Sequence, residues 1–76
     1  MNIAKRDMLK IWALQSGYSN ITELAKASGL SRNAIYNAIN YTPGDPMTLG
    51  EPGLKKLAEV LDLTYNTILD WYEGRL

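Results

Sequence analysis

The chain has 76 residues, of which 46% are hydrophobic, and its eight basic and eight acidic side chains give no net charge. This length predicts one small domain spanning residues 1–76, and the hydrophobic content excludes a disordered chain. The sequence has no cysteine or histidine, which leaves no thiol nucleophile or imidazole base and argues against disulfides and a zinc site.

Other common signals are also missing from the sequence. No run of apolar residues approaches the 18 or more that a membrane span requires, and the first dozen residues do not resemble a signal peptide. Phosphate-binding glycine motifs are absent as well. We therefore expect a cytoplasmic protein that is not an enzyme, has no cofactor, metal or small-molecule ligand, and does not enter a membrane.

The first predicted helix runs from about Asn2 or Ile3 to Gln15, and Gly17 ends it. An apolar stripe repeats along one side of this helix and consists of Met8, Leu9, Trp12 and Ala13. Three basic residues lie off the stripe: Lys5, Arg6 and Lys10. The pattern predicts that Trp12 faces the core.

Residues 20–40 predict two short helices joined by a tight turn. Asn20 and Glu23 have the spacing of a capping box, in which each side chain binds a backbone N–H at the helix start. Gly29 supplies a residue that tolerates positive φ at the turn, and Ser31 is an N-cap for the second helix. The segment therefore has the pattern of a helix-turn-helix, whose second helix can lie in the major groove of DNA.

The second helix of this segment has two different faces. Ile35 and Ile39, four residues apart, turn one face toward the core. The opposite face carries polar side chains: Arg32 in the first turn, then Asn33, Tyr36, Asn37 and Asn40. Arginine, asparagine and tyrosine pair with base edges and phosphates. The alternative is a helical hairpin of the kind found in many small proteins.

Beyond Asn40, prolines and glycines predict a loop over residues 41–53, although Pro52 also suits the first turn of a fourth helix. The stripe of that helix consists of Leu54, Leu57, Ala58 and Leu61. Thr64 is expected to cap a fifth helix that ends at about Glu73.

The chain resembles the phage repressor and Cro-type (XRE-like) helix-turn-helix family. The matching motif residues are Leu24, Ala25, Gly29, Leu30, Ser31 and Ile35, followed by the fourth-helix stripe and by Leu63, Ile68 and Leu69. The resemblance implies an all-α, compact five-helix domain of the lambda-repressor type. Two departures are Ile21, where many members have a phosphate-binding glutamine, and the long loop over 41–53.

The resemblance implies a sequence-specific regulator of transcription in a phage or mobile-element switch. The residues at the family's base-contacting positions are Arg32, Asn33 and Asn37. Candidates for contacts to the DNA backbone are Lys26, Ser31, Tyr36 and Asn40. The loop is either a plain connector or contacts the sugar-phosphate backbone through its start, residues 40–42, as the equivalent region does in the family. The expected partner is a double-stranded DNA operator, bound by a homodimer.

The charge distribution leaves a second function open. Residues 1–42 hold five basic and two acidic side chains, whereas residues 43–76 hold three basic and six acidic ones. A basic half suits DNA, but zero net charge, Ile21 and the acidic half favour a repressor-fold modulator, such as an antirepressor, that binds a second phage regulator protein.

The fifth predicted helix carries more apolar residues than one face accommodates. Trp71 and Tyr72 are adjacent, so at 100° per residue both cannot point to the middle of one core. The sequence therefore predicts an interface for a partner or dimer at Ile68, Trp71 and Tyr72. The alternative is a core that surrounds this helix on two sides.

Overall fold

The computed structural model describes residues 3–47 and 49–76. Side-chain caps stabilise the starts of three of its helices. The helices are α1 (Lys5–Gln15), α2 (Ile21–Ser28), α3 (Arg32–Asn40), α4 (Glu51–Val60) and α5 (Tyr65–Tyr72). Each cap accepts a hydrogen bond from the backbone N–H three residues on, at 2.9 Å for Asn20, 3.0 Å for Ser31 and 3.2 Å for Thr64. The three caps predicted from the sequence are therefore confirmed.

The described residues form five helices and no strand. The radius of gyration is 11.2 Å, which is close to the roughly 11 Å expected for a compact chain of this length. The all-α, five-helix prediction is confirmed.

Two helix starts differ from the prediction. α1 begins at Lys5 because Ala4 is extended, with φ −60° and ψ 146°; Asn2, the earliest predicted start, lies outside the described residues. α4 begins at Glu51, with Pro52 in its first turn as predicted, so the loop is shorter than 41–53. Gly53 lies inside this helix, and the Leu49 side chain occupies the space that a β-carbon at residue 53 would take.

All five helices contribute side chains to one core. The side chains with no exposed surface include Leu9, Leu24, Ile35, Leu54, Leu57 and Ile68. Trp12 is half-buried and packs against this cluster, which agrees with its predicted placement. At the turn between α2 and α3, Gly29 has φ 74°, a left-handed conformation in which glycine avoids the steric cost of a side chain.

The predicted association surface on α5 is wrong. Ile68 and Tyr72 are 0% exposed and Trp71 is 1% exposed. The core surrounds α5 on two sides: Trp12 of α1 meets the Trp71 ring edge-on at 6.5 Å, and Tyr41 stacks on Tyr72 with centroids 4.2 Å apart. Two adjacent aromatic residues are therefore both buried, because different elements cover them.

Lys5 joins α1 to the C-terminal ends of two other helices, although the sequence places it off the apolar stripe. Its Nζ donates hydrogen bonds to the carbonyl oxygens of Ala38 at 2.6 Å, Tyr41 at 2.9 Å and Tyr72 at 2.7 Å. The Trp71 indole Nε1 donates in turn to the Lys5 carbonyl oxygen at 2.9 Å. Burial lowers the pKa of the Lys5 amine below its usual value of 10.5.

We expect Tyr72→Phe to leave the free energy of unfolding unchanged or to raise it by up to about 1 kcal/mol. The Tyr72 hydroxyl is buried with no hydrogen-bond partner among the described residues, so removing it loses no bond and relieves the cost of burying a polar group. Urea denaturation measures the change. Trp71→Phe, which removes the bond to the Lys5 carbonyl, is the matched comparison and should destabilise the domain. A decrease of more than about 1 kcal/mol in the free energy of unfolding of Tyr72→Phe would contradict this prediction.

Candidate nucleic-acid interface

Local hydrogen bonds stabilise the α2–turn–α3 segment. Asn20 caps α2, and the Glu23 carboxylate accepts the backbone N–H of Ser19 at 2.7 Å. In the predicted capping box, that carboxylate would have bound the N–H of Asn20 itself. At the turn, the buried Ser28 hydroxyl donates to the Ala25 carbonyl at 3.2 Å. Both ends of α2 are thus held by local hydrogen bonds.

α3 presents a polar face to solvent. Ile35 and Ala38 are 0% exposed and Ile39 is 8% exposed, which fixes the rotation of the helix about its axis. The exposed residues on the outer side are Arg32, Asn33, Asn37 and Asn40. The predicted division of α3 into a core face and a polar face is therefore confirmed, except that Tyr36, expected on the polar face, is half-buried.

The predicted backbone contacts occupy different environments. Ser31 is exposed, and its hydroxyl oxygen accepts the Ala34 N–H as the cap of α3. Tyr36 is half-buried and packs against the core rather than standing free in solvent. Lys26 is exposed in the last turn of α2 and lines none of the grooves described below.

A groove of about 450 Å³ separates the N-terminal part of α3 from α1 and the start of α2. Its walls include Lys10 from α1, Ile21 from α2, and Arg32 and Tyr36 from α3. A smaller groove of about 260 Å³ shares three of these residues and adds Arg6 and Ile39. Arg6 and Lys10 therefore lie beside the polar face of α3.

Sequence reasoning missed Arg6 and Lys10 as site residues, although it recognised both as basic. Their spacing of four residues places them on one side of α1, and that signal was present in the sequence. What the sequence does not show is which neighbour that side of α1 meets. The structure places it against Tyr36 and Ile39 of α3.

A third groove of about 240 Å³ lies at the C-terminal end of α3. It is lined by Asn37 and Asn40 together with Tyr41, Asp45 and Pro46 from the following loop. Burial raises the pKa of Tyr41 above its usual value of 10.0, and the nearby Tyr72, Glu73 and Asp45 side chains raise it further. Burial and these neighbours therefore favour the neutral form of the Tyr41 hydroxyl.

The exposed basic side chains fall into two groups by their pairing. Among residues 3–47 and 49–76, the ion pairs are those of Lys55, Lys56 and Arg75, all in the acidic half of the chain. The exposed cations of α1, α2 and α3 form no ion pair in this part of the molecule: Arg6, Lys10, Lys26 and Arg32. Their charge is available to an anionic partner.

Comparisons of the chain with protein-family models, with curated proteins and with solved structures give no match. Across the described ranges, no helix combines the length and apolar character needed to span a bilayer. From the grooves and exposed side chains described above, the candidate site consists of the polar face of α3 and the basic side of α1 beside it.

Proposed function

We propose that the chain is a sequence-specific, double-stranded DNA-binding regulator of transcription, of the phage repressor and Cro type suggested by its sequence. The observation that carries the proposal is the exposed face of α3, which has one arginine and three asparagines and no acidic residue. A helix face that only contacts solvent more commonly carries glutamate and lysine than arginine and asparagine.

The proposed roles follow from the hydrogen-bonding groups of each side chain. Arg32 donates to O6 and N7 of guanine, and Asn33 and Asn37 pair with N6 and N7 of adenine. The remaining candidates contact the sugar-phosphate backbone and fix the position of α3: Lys26, Ser31, Tyr36 and Asn40. The nine residues of α3 span about 13 Å, enough for a few base pairs, so a dimer on a two-fold operator would supply further specificity.

We expect Arg32→Ala, Asn33→Ala and Asn37→Ala each to weaken binding to the operator by about 1–3 kcal/mol, with circular dichroism unchanged. Each variant removes base contacts without touching the core. Fluorescence anisotropy with DNA from upstream of the chain's own gene, against scrambled DNA, gives the measurement. Asn66→Ala, at an exposed position of α5, is the control. Equal operator affinity for the parent protein and all three variants would remove α3 as the recognition helix.

The second candidate function is a modulator that binds another regulatory protein. One observation favours it: Ile11 is 41% exposed and Leu14 is 64% exposed on α1, and exposed apolar residues are common at protein interfaces. Because Trp71 and Tyr72 are buried, the partner interface that the sequence predicted on α5 is not available for this function. Repeating the DNA-binding measurement with a neighbouring regulator present separates the two functions, because a modulator changes that regulator's binding while binding no DNA itself.

A further inference from the structure

The two flanks of the α3 polar face carry opposite charge. On the α1 side, Arg6 and Lys10 line the groove of about 260 Å³ next to Tyr36. At the C-terminal end of α3, the groove beside Asn37 and Asn40 is lined in part by Asp45. A DNA backbone that approaches α3 therefore meets Arg6 and Lys10 along the α1 side of the face, with Asp7 close to Arg6, and Asp45 on the loop side.

The Asp45 carboxylate is held in place by its own turn. Its Oδ2 accepts hydrogen bonds from the Thr42 hydroxyl at 2.9 Å and the Thr42 backbone N–H at 3.3 Å. The Asp45 backbone N–H donates to the Thr42 carbonyl oxygen at 3.1 Å. Asp45 forms no ion pair with any described residue, so its negative charge stays at the rim of the face.

Two cations lie near this end of α3, Lys5 and Arg6. Arg6 lines a groove of about 460 Å³ beside Ile39 and Asn40, together with Asp7 of α1, whereas Lys5 is already engaged. The Lys5 ammonium binds the carbonyl oxygens of Ala38 and Tyr41 from the core side. Arg6 and Lys10 are exposed and unpaired in the described part of the chain, so they are free to bind phosphate. The electrostatic contrast across the face is therefore set by Arg6 and Lys10 against Asp45.

We propose that duplex DNA is held from the α1 side: Arg6 and Lys10 bind phosphates of one strand, and Asp45 repels the backbone on the loop side of α3. The proposal rests on the DNA-binding function proposed above. It assigns the main phosphate contacts to α1 rather than to the loop that follows α3. Asp45 then lowers affinity for every duplex equally, and α3 retains the choice of sequence.

The salt dependence of DNA binding tests this arrangement. Each phosphate contact contributes about 0.9 to the slope of log K against log salt concentration. We expect Arg6→Gln and Lys10→Gln each to lower that slope by about 0.9 and to weaken operator and scrambled duplexes by the same factor. Arg6→Lys, which keeps the charge, should retain the parent slope.

Asp45→Asn removes the charge and keeps an oxygen that can accept the bonds from Thr42. We expect it to tighten binding to both duplexes by about two- to fivefold, with no change in sequence preference. Lys56→Gln and Glu59→Gln are the controls, because both side chains are exposed on α4, and each should leave affinity and slope unchanged.

The outcomes separate this proposal from the function on which it rests. A parent protein that binds no duplex even at low salt overturns both. If the parent binds its operator and the Arg6 and Lys10 variants keep its slope, DNA recognition stands and the α1-side contact is wrong. A changed base preference in Asp45→Asn, or an unchanged affinity, overturns the role given to Asp45.

Discussion

Replacing Leu57 with alanine should lower the free energy of unfolding by about 2–5 kcal/mol. Leu57 is 0% exposed in α4 and packs within the core shared by the five helices, so the truncation leaves a cavity. Ile35→Ala, at a position of α3 that is also 0% exposed, should cost a similar amount. Thermal melts and urea denaturation measure both. The loss is a large fraction of the stability of so small a domain.

Leu14→Ala provides the matched control, because the same side chain is removed at a position that is 64% exposed. This variant should change the free energy of unfolding by no more than about 0.5 kcal/mol. If the Leu57 and Ile35 variants melted within a few degrees of the parent protein, α3 and α4 would have to face the core differently.

Lys5→Met should destabilise the domain by about 2–4 kcal/mol. Methionine retains an unbranched apolar chain of similar length but donates no hydrogen bond. The carbonyl oxygens of Ala38, Tyr41 and Tyr72 would each lose the donor that Lys5 now supplies. Water reaches this half-buried position and compensates in part, which keeps the expected loss below the sum for three fully buried bonds.

Lys10→Met tests whether the effect belongs to the bonds or to the loss of a basic residue from α1. Lys10 is exposed, and its Nζ donates no hydrogen bond to any described residue. We expect its free energy of unfolding to match that of the parent protein in urea denaturation. Equal stability of the Lys5 and Lys10 variants would show that the three carbonyl contacts contribute nothing.

Local chemistry in the sequence was enough to predict most of the helix framework. Asn20, Ser31 and Thr64 are caps whose partners lie three residues away, and Gly29 marks a turn for a conformational reason of its own. The outward placement of Arg32 and its neighbours could also be predicted, because the apolar Ile35 shows which side of α3 faces the core. Each of these features depends on residues close together in the chain.

The features that could not be predicted depend on contacts between distant segments. Trp71 and Tyr72 are both buried because Trp12 covers one and Tyr41 the other. The helical periodicity of α5 alone does not show that two different segments pack against it. Lys5 sits off its apolar stripe, yet its ammonium reaches carbonyl oxygens of α3 and α5. Arg6 and Lys10 join the candidate site only through the packing of α1 beside α3. The proposed operator and the oligomeric state also depend on partners outside the chain.

The Lys5 contact has a consequence for the order in which the domain acquires its structure during synthesis. Lys5 and its partner Tyr72 are separated by 67 positions, which ribosomes take about 3–13 s to add at about 5–20 residues per second. Until α5 emerges, neither the Lys5 ammonium nor the apolar side of α1 has its final cover. The α2–turn–α3 segment is therefore without its full support until α5 is complete, and we expect the domain to finish folding only after α5 has been synthesised.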